Sequence, residues 1–119
     1  MMEGEKITIL PSNNYNIMPN VVVLYPHPAD ADQFETDYVA HTALLHEKTG
    51  IPTDVKPYTV TKFFPDPDGS APAFYRMFMM PFETMEALQG AMSSPGMQEV
   101  AADAFRISSG GAPVIMVGS

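Results

Sequence analysis

His41 is the residue best placed to do chemistry in this chain. The sequence predicts a helix over residues 30–48, and at about 3.6 residues per turn Phe34, Tyr38, His41 and Leu45 fall on one narrow stripe. An imidazole on a buried stripe is costly unless it finds a hydrogen-bond partner. Burial favours its neutral form, which leaves one ring nitrogen to donate and the other to accept. Such a group serves as a general base or orients a ligand. The competing reading is a core histidine tied to a backbone carbonyl or to Tyr38. Tyr38 and Tyr75 can bring phenol hydroxyls to the same cavity, or simply pack their rings and wet their tips. Arg76, in a predicted strand, can hold a carboxylate by a bidentate contact. Its alternative is an ion pair across strands or across a dimer with one of the 14 acidic residues.

Other chemistries find little support. The chain has no cysteine, which removes disulfides, thiolate catalysis and Cys-ligated metals together. His41 and His46, five apart, point about 140° from one another on a helix, and His27 sits in a proline-flanked turn that faces solvent. No metal is expected, and no cofactor; haem on His41 is the one alternative. Gly-rich nucleotide loops and a GxSxG elbow are missing. Six basic residues against 14 acids give a net charge of −8 in 119 residues. That balance argues against nucleic acid and anionic lipid as partners. No apolar run approaches a membrane span, and residues 1–6 do not resemble a signal peptide, so a cytoplasmic protein is expected. Ten methionines are many for this length. Met77, Met79 and Met80 share a strand and Met85, Met92 and Met97 the helices after it. They fill a core, or make the adaptable wall of an apolar pocket in which Met77 touches the ligand.

The elements that must position these groups follow from proline and glycine punctuation. Residues 1–20 read as an arm or extra strand around Ile7-Thr8-Ile9-Leu10, and residues 21–119 as one domain. Val21-Val22-Val23-Leu24-Tyr25 is a strand apolar on both parities. Asp30 or Asp32 can cap the first helix, with Gln33 placed to answer Asp30 in a capping box, and Gly50 stops it. Strands are predicted over residues 55–64 and 73–82, separated by the turn Pro65-Asp66-Pro67-Asp68-Gly69. A second helix spans residues 83–92. Ser94-Pro95 starts a third, with Val100, Ala104 and Phe105 on its buried side. Gly110-Gly111 leads into a last strand, residues 114–117. The order βαββαβ predicts an α+β, ferredoxin-like antiparallel sheet with helices on one face. The bare face needs a cover, most simply a twofold-related copy.

Several segments together resemble the EthD family, named for ethyl tert-butyl ether degradation. They are Val21-Val22-Val23-Leu24-Tyr25-Pro26, Phe34, and Tyr38-Val39-Ala40-His41-Thr42-Ala43-Leu44. Further on come Asp68-Gly69-Ser70-Ala71-Pro72-Ala73-Phe74-Tyr75-Arg76, Phe82-Glu83-Thr84-Met85-Glu86-Ala87-Leu88, Ser94-Pro95-Gly96 and Gly110-Gly111. The resemblance covers nearly all of residues 21–119 and implies a homodimer whose sheets form a dimeric α+β barrel. It also implies that His41 lies in the family's pocket, and a role in oxidative breakdown of ethers and other xenobiotics, filed as oxidoreductase activity. One departure stands out: the family's Thr-His-x-Pro-Leu is Ala40-His41-Thr42-Ala43-Leu44 here, without the proline. Residues and resemblance together lead to a small-molecule enzyme acting on an apolar or aromatic compound. His41 is its base, Tyr38 assists, and Phe34, Leu45, Tyr75, Arg76 and Met77 contact substrate. The alternative is a non-catalytic binding or accessory protein for a separate oxygenase.

Overall fold

The first strand, β1 (Asn20–Tyr25), alternates as a half-covered strand should: Val21, Val23 and Tyr25 are buried, while Val22 and Leu24 turn the other way. The computed structural model describes residues 18–119, so the strand expected near residues 7–10 lies outside the described residues. Pro26 and Pro28 end β1, and Asp30 starts α1 (Ala31–Thr49) by accepting the Gln33 N–H on its carboxylate at 3.1 Å. The Gln33 side chain reaches forward to Asp37 at 3.0 Å rather than back, so only half of the expected capping box forms. Gly50 closes α1 at φ 74°, its N–H donating to the His46 carbonyl.

The second strand is shorter than predicted. Residues 55–58 stay out of the sheet because Val55 N–H turns back to Pro52 and Pro57 has no N–H to give. What remains is β2 (Thr59–Lys62), paired antiparallel with β3 (Arg76–Pro81). Thr84 caps α2 (Met85–Met92), and Ser94, with Pro95 at the first helical position, caps α3 (Pro95–Ile107). The chain ends in β4 (Val114–Gly118). Among the described residues the sheet has four strands in the order β2-β3-β1-β4, every neighbour antiparallel. This is the ferredoxin-like arrangement, and the sheet of the single chain is open, not closed into a barrel.

Helices cover one sheet face only. Val21, Val23 and Tyr25 of β1 and Phe78 and Met80 of β3 meet Phe34, Tyr38 and Leu45 of α1 and Met97, Val100, Ala104 and Ile107 of α3. That last set falls at i, i+3, i+7 and i+10, so the buried line of α3 runs through Ile107 and leaves Phe105 half exposed. The burial expected for Phe105 is thereby corrected. On the opposite sheet face lie Val22, Leu24, Met77, Met79, Val114 and Met116, with Thr59 and Thr61 of β2 at its edge. Two loops also lock together beside β1. Ala29 N–H donates to Ser109 Oγ at 3.0 Å, and Gly110 presses against the His27 carbonyl so closely that a Cβ there would stand 1.6 Å from its oxygen.

Candidate functional site

A cavity of about 40 Å³ lies between the sheet and helices α1 and α3. That is a few times the roughly 10–15 Å³ that lodges one water, so the space suits a small molecule or part of a larger one. Its wall is Val21, Val23, Tyr25 and Phe78 from the sheet, Leu45 and Thr42 from α1, and Met97, Val100, Ala101 and Ala104 from α3, with Ile115 from β4. Into this apolar lining α1 sets His41. Met97 is the one methionine among the lining residues, so the wall is built chiefly of β-branched residues and alanine. The adaptable methionine wall expected from composition is absent from it.

His41 is buried, and its Nδ1 lies 2.8 Å from Asp103 Oδ2 on α3. Asp103 Oδ1 in turn accepts the Arg106 Nε–H at 2.7 Å. Burial lowers the His41 pKa below its ordinary value, and the Asp103 contact only partly opposes that. The imidazole is therefore neutral at pH 7. For Asp103, burial alone would raise the carboxyl, but Arg106 and His41 outweigh it and hold it below the carboxylate range. A neutral imidazole and an ionised carboxylate result. The core-histidine partners considered from sequence, a carbonyl or Tyr38, are not the ones found. Tyr38 stands beside His41 with ring centroids 5.7 Å apart. Its hydroxyl is buried without a hydrogen-bond partner among the described residues, and burial pushes its pKa up to about 12.

The other expected contact residues form a second cluster, adjoining the cavity rather than lining it. Phe34 stacks on Tyr38 at 5.7 Å and meets Tyr25 and Tyr75 edge-on at 5.3 and 5.5 Å. Arg76, at the start of β3, lies 4.5 Å above the Tyr38 ring and is buried. Its Nη2 donates to both Glu35 oxygens at 2.6 and 2.8 Å, and the Tyr75 hydroxyl donates to the same carboxylate. Lys62 Nζ adds its charge at 3.8 Å. Burial would raise Glu35, but the Tyr75 hydroxyl and Arg76 charge outweigh it and lower its pKa. Arg76 thus pairs with an acid of α1, and its Nε is buried without a hydrogen-bond partner among the described residues. Met77 points to the opposite face of the sheet. His41 and Leu45 alone of the expected residues line the cavity.

Sequence reasoning missed Asp103, Arg106 and Glu35. Glu35 sits outside the α1 stripe, and Asp103 is 62 residues from His41. No local spacing announces either contact. His46 was also missed: its Nδ1 lies 3.1 Å from the Ile51 carbonyl and its Nε2 2.8 Å from the Tyr58 hydroxyl, which buries it under the loop after α1. Among the described residues no three metal-ligating side chains gather at one point.

The EthD domain profile matches residues 26–109, which takes in the whole of α1, the site histidine and its α3 partner. The chain belongs to the EthD family. An uncharacterised 11.0 kDa protein from the thcB–thcC intergenic region of Rhodococcus erythropolis is 32% identical to it over 99 residues, covering 82% of this chain and 91% of that one. A crystallised EthD family protein from Bacillus halodurans is 27% identical with a TM-score of 0.70, over 86% of this chain and 97% of its own. A dimeric ferredoxin-like protein of unknown function from Jannaschia shares the fold at 12% identity and a TM-score of 0.61, over 87% and 99% of the two chains. Within this EthD chain, α1 runs unbroken through residues 40–44.

Proposed function

We propose that this EthD protein is a small-molecule catabolic enzyme acting on an apolar or aromatic organic compound, with His41 as general base. The observation that carries the reading is a single imidazole, favoured neutral by burial, set in a largely apolar cavity wall that also includes Thr42 and Tyr25. With Nδ1 engaged by Asp103 and no partner for Nε2 among the described residues, Nε2 is the nitrogen proposed to take a proton from a bound compound. Apolar walls exclude water and strengthen that contact. Tyr38, beside the ring, supports its orientation by packing. A cavity of about 40 Å³ does not admit a porphyrin, so no step is routed through haem.

The test is turnover of a panel of neutral aromatic and aliphatic compounds by the purified protein, with products read by mass spectrometry. His41→Gln is expected to lower the rate by about 10²–10⁴-fold while the fold survives. The wild-type rate should hold at pH 7 and fall as pH drops through the His41 pKa, which lies below the usual histidine value, because protonation removes the base. A folded His41→Gln protein with an unchanged rate overturns the proposal. Binding with no product from the wild type favours the accessory-protein reading instead.

The unit that works is proposed to be a homodimer. Val22, Leu24, Met77, Met79, Val114 and Met116 make an apolar patch across β1, β3 and β4 that no helix covers among the described residues. A twofold copy would cover it and bring two open sheets together as a barrel. Light scattering at micromolar concentration should give twice the chain mass of 13.0 kDa. A strict monomer contradicts it.

A further inference from the structure

We propose that Asp103, backed by Arg106, fixes His41 with its proton on Nδ1, so that the cavity takes a small uncharged compound donating one hydrogen bond to Nε2. The inference rests on the reading of this cavity as the ligand site and gives the chemical class of its ligand.

The geometry runs from α3 inward. An ionised carboxylate only accepts hydrogen bonds, so the 2.8 Å contact requires the proton to sit on His41 Nδ1. Arg106 Nε holds the other carboxylate oxygen at 2.7 Å and cannot give up its charge. With both oxygens taken, the carboxylate cannot swing away from the ring. Nε2 has no partner among the described residues, which leaves it as a bare acceptor in the neutral ring. Other titratable groups around His41 are Tyr38 on α1 and Tyr25 on β1, both with pKa values raised by burial and therefore uncharged at pH 7.

What this site accepts follows from what surrounds that nitrogen. The lining contains no cation. Arg106 is spent on Asp103 and Arg76 on Glu35, so among the described residues no cation at the cavity is left to neutralise an incoming carboxylate or phosphate. An anion would also lie close to ionised Asp103. A hydrocarbon would fit the walls but leave Nε2 desolvated and unpaired. A neutral hydroxyl compound, alcohol or phenol, satisfies both requirements, and the cavity volume keeps it small. Asp103 and Arg106 are positioning residues here, since they act only through His41.

Nitrogen NMR of the protein with ¹⁵N-labelled histidine tests this, using phenol, benzoate and toluene as probes. Unliganded wild type should show His41 protonated on Nδ1 and bare on Nε2. Phenol should shift Nε2 to saturation, benzoate at equal concentration should leave it unmoved, and toluene should shift cavity methyls but not Nε2. Asp103→Asn should move the tautomer balance toward Nε2–H and weaken phenol at least about tenfold, because an amide can donate as well as accept. A wild-type Nε2–H tautomer, benzoate binding as tightly as phenol, or an unmoved Nε2 at millimolar phenol each overturns the proposal. So does Asp103→Asn with both readouts unchanged. Should that variant not fold, the wild-type tautomer and the three probes still decide. Phenol on Nε2 without turnover of any compound would remove the catalytic reading and leave this one standing.

Discussion

Alanine at position 110 is expected to cost the fold on the order of 3 kcal/mol, a drop in melting temperature of roughly 10 °C or more. The reason is backbone against backbone. A Cβ on Gly110 would stand 1.6 Å from the His27 carbonyl oxygen and 2.6 Å from its carbon, and no side-chain rotamer can relieve that. Either the α3–β4 loop lifts away from the β1–α1 loop, or His27 and Pro28 move. Lifting breaks the Ala29–Ser109 hydrogen bond, and movement at His27 strains its contact with the Pro72 carbonyl at 2.6 Å. Both loops flank the start of α1, so the disturbance reaches the element that carries His41. Gly90 is the matched control: it lies inside α2 with open space where its Cβ would be, so Gly90→Ala should gain about 0.5–1 kcal/mol. Thermal and urea unfolding of the two variants check the pair. A Gly110→Ala melting point within about 2 °C of wild type would mean that the two loops are not held together.

Local signals made α1 and its histidine legible. Asp30 and Gly50 mark the helix ends by side-chain and backbone chemistry that acts within four residues, and a 3.6-residue period places Phe34, Tyr38, His41 and Leu45 on one buried line. Ser94-Pro95 marks the start of α3 in the same way. What is absent from local sequence is which distant residue arrives opposite. Asp103 meets His41 only because α1 and α3 pack side by side, and Glu35 meets Arg76 only because β3 runs under the start of α1. The faces of β1 and β3 were ambiguous for a related reason. Both parities are apolar, so alternation could not say that Phe78 faces the helices while Met77 and Met79 face away. The methionines therefore divide between two surfaces. Met77, Met79 and Met116 lie on the sheet face away from the helices, and Met97 alone lines the cavity.

Phe34→Ala is expected to lose about 3–5 kcal/mol, a large share of the roughly 5–15 kcal/mol that keeps an ordinary domain folded. Phe34 is 1% exposed and its ring meets Tyr25, Tyr38 and Tyr75, with the Arg76 guanidinium 5.7 Å from its centre. Removing it leaves a void between β1 and the first turns of α1, lined by aromatic rings and a buried arginine. Water entering that void would reach the Arg76 Nε and the Tyr38 hydroxyl, which offsets part of the loss and favours the lower end of the range. From the sequence Phe34 stands among the ligand contacts, yet the cavity wall passes it by. The two roles separate cleanly in experiment. As a core ring, Phe34→Ala should shift the urea midpoint sharply at low temperature while the remaining folded protein binds phenol within about twofold of wild type. Its His41 tautomer should not change, because Asp103 and Arg106 approach from α3 and do not touch residue 34. Near-native stability with phenol binding lost would instead make Phe34 a ligand contact and move the working site toward Arg76. Leu45→Ala gives the opposite expectation: it lines the cavity about three turns further along α1, so its loss should alter probe affinity as well as stability.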